Sequence, residues 1–279
     1  MTFIKKLEEA VRQFQSCLCV GLDPNLVRIP QILKDEYANP EEQVYHFLKQ
    51  VIDVTADHCA AYKPNLGFFE ALGSNGLQVF QRVIETIPDR KIIIADAKRG
   101  DISSTAEHYA RAYFERFDVD AITINPLMGF ETLDPFLKYS SKGVYTLALT
   151  SNPGAEDFLT KPFKKHHSMA AYIANKLAGY NEKHATHIGM VVGATKAEII
   201  SPVIQHHPKG ALLIPGIGAQ GGTIDELVSA LENHQGTPLV NSSRSILYAG
   251  QHAEDWQQAV ANKAQEFKNA LQPITDTYV

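Results

Sequence analysis

The sequence predicts an α/β fold, a single (β/α)8 TIM barrel with an extra N-terminal helix, filling residues 1–279 as one domain. Three observations predict it. Short apolar, β-rich runs alternate with segments of helical period along the whole chain. The runs number eight, and their onsets go from position 17 to 238, a mean spacing of about 32 residues, as in a strand-plus-helix unit. Polar and charged residues cluster where the runs end, the face on which barrel enzymes carry their sites.

The elements follow in order. MTFIKKLEEAVRQF interrupts its apolar residues with charges every few positions, so it reads as an amphipathic helix and not as a signal peptide. The strand candidates are CLCVGLD from Cys17, AAYKPN from Ala60, KIIIADAK from Lys91 and AITINP from Ala121. VYTLALTS from Val144, IGMVVGA from Ile188, ALLIPGIG from Ala211 and PLVNSS from Pro238 complete the set. Near-continuous apolar strands imply parallel pairing with both faces covered. Helical patterns between them include Glu41–Ala56, Leu77–Ile87, Ser104–Phe117, Ser168–Asn181, Ile224–Asn233 and Trp256–Leu271. A doubly wound open sheet is the alternative. It usually has fewer strands and an early Gly-x-Gly-x-x-Gly turn, whereas the first run here ends in GLDPN.

Composition narrows the function. Of 279 residues, 44% are hydrophobic and 20% charged, with a net charge of −5, which is ordinary for a globular chain and gives no nucleic-acid footprint. No run of 18 apolar residues occurs, so no membrane span is expected. The three cysteines, Cys17, Cys19 and Cys59, lack Cys-x-x-Cys spacing and read as buried thiols of a reducing, cytoplasmic compartment. His108, His184 and His187 read as surface or helix residues. Lys164, Lys165, His166 and His167 read as a solvated loop. No His–Glu spacing suggests a metal site and no nucleophile elbow supports Ser-His-Asp chemistry.

The segment that carries chemistry is IIIADAKRGDI, 92–102. Asp96 and Lys98, two apart at a strand end, are expected to point the same way. Following an apolar run, they enter a partly enclosed site where charges must be paired. Gly100 permits a turn before Asp101, and Lys63 ends another apolar run. Alternating lysines and aspartates would hold one another ionised, at about 4 kcal/mol for 4 Å and an effective dielectric of 20. A lysine kept protonated there can act as a general acid. Pro215–Gly222 with Asn241–Arg244 forms a second constellation. The glycines serve either a tight turn or an anion cradle; their place after the seventh strand, with Arg244 after the eighth, favours phosphate. Ser151 and Asn152, in TSNPG, suit either a turn or contact with a base edge.

DAKRGDI at 96–102 resembles the DxKxxDI signature of the orotidine 5′-phosphate decarboxylase family. GLDPN, YKPNLGFFE, TSNPG, PGIGAQGG and Arg244 fall in that family's order over nearly the whole chain, in forms similar to its longer subgroup. The resemblance implies a cofactor-free and metal-free decarboxylation of orotidine 5′-monophosphate by a homodimer. It implies that Lys63, Asp96 and Lys98 form a charged network with Lys98 as proton donor, completed by Asp101 across the dimer interface. Asp96 would face the departing carboxylate, with Ile102 and Thr105 accompanying Asp101. Asp23 and Lys63 match ribose contacts, Asn65 a substrate contact and Ser151 a pyrimidine contact. Gln220 and Arg244 match phosphate contacts, with Pro215, Gly221 and Gly222 in the same grip. The alternatives are another phosphate-binding barrel enzyme acting on sugar phosphates, with metal-dependent chemistry in some cases, and a non-catalytic nucleotide-binding dimer.

Overall fold

The structure is a computed structural model and describes residues 1–193, 197–216 and 223–279. Its strands are β1 (Leu18–Leu22), β2 (Ala61–Pro64), β3 (Ile92–Arg99), β4 (Ala121–Ile124), β5 (Gly143–Leu149), β6 (His187–Val192), β7 (Leu212–Pro215) and β8 (Pro238–Ser242). They close into a barrel in the order β1 to β8, and the recorded pairs run parallel. Each strand begins within one residue of its expected onset. The helices are α1 (Phe3–Phe14), α2 (Gln31–Glu36), α3 (Pro40–Thr55), α4 (Leu66–Glu70), α5 (Gly76–Ile84), α6 (Ser103–Arg111) and α7 (Ala155–Phe158). After them come α8 (Met169–Asn181), α9 (Ala197–Ile204), α10 (Ile224–Leu231), α11 (Arg244–Leu247), α12 (Trp256–Ala270) and α13 (Gln272–Tyr278).

By its contacts the chain divides into two compact units, Met1–Glu9 with Lys98–Asn241, and Ala10–Ala97 with Ser242–Val279. In the second, β1 and β2 are buried along their whole length, as parallel strands covered on both faces must be. Helices α3 and α12 pack on each other there, with Phe47 against Trp256 and Tyr248. The three cysteines are free and buried, as expected.

In the first unit, α1 presents Phe3 and Leu7 to the interior, and the Phe3 ring stands edge-on to Tyr145 of β5. Two sequence expectations change here. The helical pattern to Phe117 does not stay α-helical; after Arg111 the chain makes a π-turn, and the Phe117 amide reaches the Ala112 carbonyl five residues back. His187 is not a surface residue. It opens β6, and its Nε2 accepts the Ala211 amide at 3.0 Å. His207 and His234 lie buried nearby in sequence space on the loops before β7 and β8, contacting the Ile188 and Gly210 carbonyls at 2.7 and 2.9 Å. These contacts tie the amino ends of β6 and β7 to the loops beside them.

Burial pushes the His187 and His234 imidazoles from the usual 6.5 to about 4. The unfolded chain takes up protons near 6.5, the folded chain only near 4, so stability is complete above pH 6.5 and is lost as pH falls through that window. For His234, which is 7% exposed, the loss amounts to about 3 kcal/mol. Urea unfolding at pH 7 and pH 4 checks this: His234→Gln should unfold with a smaller difference between the two pH values than the unsubstituted chain.

Candidate active site

In the unit that contains β1 and β2, three acidic and basic residues from the strand ends act on one another. Lys63 of β2 and Asp96 of β3 are 4% and 8% exposed, and the Lys63 Nζ donates to Asp96 Oδ2 at 2.8 Å. Backbone pairing continues past β2, where Asn65 bridges to Asp96. Burial alone would push the Lys63 ammonium toward neutrality; the carboxylates of Asp96 and Asp23 more than offset it and hold its pKa above the usual lysine value. Lys91 is the internal control. It is also buried, but its Nζ meets the Ala56 and Cys59 carbonyls and the Phe14 ring, and burial lowers its pKa to about 8. Carboxylates, not burial, make the difference between the two lysines. Burial also pushes the Cys19 thiol far up despite the Lys63 charge, which leaves Cys19 inert at neutral pH. Asp23 Oδ1 is buried and has no hydrogen-bond partner among the described residues, an acceptor suited to a ligand hydroxyl.

The asparagines at the strand ends have structural work as well. Asn25 and Asn65 accept amides from Val27 and Gly67 and cap the following helical turns. Asn125 does the same after β4, through the Leu127 amide. Arg244 is exposed at the start of α11.

The other unit holds Lys98, and here the expected geometry needs correction. Asp96 and Lys98 do not simply point the same way from an extended strand, because Lys98 has φ +47°, in the left-handed region. Alternation stops there, and Lys98 is exposed where Asp96 is buried. Its amide donates to the Oγ1 of Thr123, a buried residue of β4, at 2.9 Å. Gly100 serves a close approach more than a turn: a Cβ there would stand 2.4 Å from the Asn125 carbonyl oxygen. Asp101 Oδ1 accepts the Ile102 amide at 2.8 Å, and Ile102 and Thr105 are exposed.

Ser151 lies just past β5. A Cβ on Gly193, just past β6, would come within 2.7 Å of the Ser151 Cβ, so the missing side chain makes room for Ser151. Pro215 ends β7. Gln220, Gly221 and Gly222 lie outside the described residues. Thr123, Gly193 and Tyr248, whose hydroxyl lies 2.8 Å from the Asp23 carbonyl oxygen, were not singled out from the sequence. A threonine alternating inward on β4 and a glycine ending β6 were the available signals for the first two. Among the described residues no group of three or more His, Cys, Asp or Glu is placed to hold a metal ion, and no helix is long and apolar enough to cross a membrane.

A closed barrel of parallel strands, with a buried lysine–aspartate pair at its strand ends, defines a (β/α)8-barrel enzyme. Residues 16–259 match the family described as Orotidine 5′-phosphate decarboxylase / HUMPS, and the chain belongs to it. The orotidine 5′-phosphate decarboxylase of Parabacteroides distasonis is 41% identical over 273 residues, covering 96% of this chain and 93% of the relative. The Leishmania donovani OMP decarboxylase structure is 30% identical with a TM-score of 0.78, covering 98% of this chain and 99% of that one. The Leishmania donovani UMP synthase structure is 32% identical with a TM-score of 0.81; the match covers 98% of this chain and 57% of that longer one.

Removing one partner of the buried pair strands a charge. Asp96→Ala should therefore lower the unfolding free energy by about 3–5 kcal/mol. An engineered Gly193→Ala would bring its Cβ to 2.6 Å from the Ser151 backbone nitrogen, so it should also destabilise, by about 1–3 kcal/mol; urea denaturation of both variants makes the comparison.

Proposed function

We propose that the chain converts orotidine 5′-monophosphate to uridine 5′-monophosphate and carbon dioxide, the last step of UMP biosynthesis. The observation that carries the proposal is the buried Lys63–Asp96 pair, with an Asp23 oxygen that has no hydrogen-bond partner among the described residues, in a chain of this family. The whole of residues 1–279 then serves as one catalytic domain, working in the cytoplasm as a homodimer without metal or organic cofactor.

Loss of carbon dioxide leaves negative charge at C6 of the pyrimidine. A fixed ammonium stabilises that charge more than it stabilises the delocalised ground-state carboxylate, which is the requirement for catalysis. Lys98 supplies the ammonium and then the proton. Asp96, hydrogen-bonded by Lys63, faces the departing carboxylate and disfavours the ground state. Asp101 completes the network in the partner subunit's site, with Ile102 and Thr105 beside it. Asp23 and Lys63 take ribose hydroxyls, and Asn65 contacts substrate through whatever hydrogen-bonding capacity its capping role leaves. Ser151 contacts the pyrimidine. Arg244 and Gln220, with Pro215, Gly221 and Gly222, grip the phosphate, whose binding energy is remote from the bond broken and can close loops over the substrate.

The absorbance of orotidine 5′-monophosphate mixed with purified protein and excess EDTA tests the reaction. A spectral change to uridine 5′-monophosphate is expected; no change, with turnover of sugar phosphates once magnesium is added, overturns it. Lys98→Ala should remove nearly all turnover and keep product binding. Mixing inactive Lys98→Ala and Asp101→Ala chains should restore activity in dimers with one complete network, and no rescue after demonstrated subunit exchange would count against a shared site.

A further inference from the structure

The loop after β1 is held by a residue far along the chain. The Tyr248 hydroxyl donates to the Asp23 carbonyl oxygen at 2.8 Å and accepts the Asn25 amide at 2.6 Å. It thus grips the backbone on both sides of Pro24. The ring is itself fixed from two directions: it stacks on Phe47 with centroids 5.8 Å apart, and the Arg28 guanidinium lies 4.0 Å from its centroid. Arg28 in turn donates from Nε to Gln251 at 2.8 Å. Tyr248 is 6% exposed, so water competes weakly for these bonds. Burial raises the phenol's pKa further above its usual value, which keeps the donor proton in place at neutral pH.

Two features give the arrangement a purpose beyond loop packing. The Asp23 side chain carries the buried oxygen with no partner among the described residues, so its aim is set by backbone that Tyr248 fixes. Tyr248 also follows Arg244 by one helical turn, and its amide meets the Arg244 carbonyl at 3.3 Å. The arginine and the tether of the aspartate therefore share one short piece of chain.

We propose that Tyr248 is a positioning residue for nucleotide binding: its hydroxyl holds the Asp23 backbone so that the carboxylate meets the ligand's sugar hydroxyl in one preset orientation. The proposal rests on the reading of Asp23 as a nucleotide contact. Preorganisation of this kind shows in affinity, because an untethered aspartate must be ordered on binding.

The test is a double-mutant cycle on uridine 5′-monophosphate affinity, read by titration calorimetry, with Tyr248→Phe, Asp23→Ala and the pair. Tyr248→Phe keeps the ring and its stacking and removes only the hydroxyl. It is expected to weaken binding about tenfold in the unsubstituted background, the size of one net hydrogen bond, and less than about twofold once Asp23 is alanine. A merely structural defect would lower the binding stoichiometry and leave the affinity of the remaining sites unchanged. If Asp23→Ala binds as tightly as the unsubstituted chain, the nucleotide reading of Asp23 is wrong and the positioning role falls with it. If Asp23→Ala weakens binding while Tyr248→Phe does not, or weakens it equally in both backgrounds, the Asp23 reading stands and the positioning role alone is overturned.

Discussion

The buried contact between Lys63 and Asp96 constrains everything around it. Each charge is made tolerable chiefly by the other within hydrogen-bond distance, and replacing either alone leaves a charge without its hydrogen-bonded counter-ion in an apolar strand layer. The short β2 and the longer β3 must therefore keep their register, Ala61 opposite Ile92 and Tyr62 opposite Ile93, or the pair is lost. Lys91, one residue before β3, shows the other solution for a buried lysine: carbonyls and an aromatic ring in place of a carboxylate, with its pKa lowered in consequence. The chain thus holds one buried lysine firmly charged with carboxylates, while burial without them makes the other easier to neutralise.

Polar side chains at the strand ends do two jobs. Asn25, Asn65 and Asn125 cap the turns that follow β1, β2 and β4. Each cap fixes the first residues of a loop, the place where barrel enzymes keep their chemistry. Asp23, two residues before the first of these caps, instead keeps a buried oxygen without a hydrogen-bond partner among the described residues. Capping residues fix the loop starts; the Asp23 oxygen without a hydrogen-bond partner among the described residues is what a ligand would complete.

Much of this was legible in the sequence. Strand onsets fell within one residue because parallel strands buried on both faces are plain apolar runs, and they end abruptly in charge. Lys63 and Asp96 stood out for the same reason, and the structure pairs them. The helix through Phe117 was misjudged at its end because helical periodicity does not distinguish an α-turn from the π-turn after Arg111. His187 was misplaced because a histidine at a strand start carries no pattern; its position depends on the Ala211 amide, 24 residues away. Thr123, Gly193 and Tyr248 escaped for a related reason. Each matters through one atom, or one missing atom, whose partner belongs to a different element: the Lys98 amide, the Ser151 side chain and the Asp23 carbonyl.

The left-handed backbone at Lys98 has a consequence for how such a chain can change. A lysine there costs about 1–2 kcal/mol relative to the residue the dihedral prefers, which is glycine. Selection for stability alone would favour glycine here, so the lysine side chain stands against the local conformational preference. On the proposed reading of Lys98 as the proton donor, a search for hardier variants that is blind to turnover would be drawn to this position and would recover folded, more heat-resistant proteins stripped of that donor. Under that reading, stability and chemistry are opposed at a single φ angle.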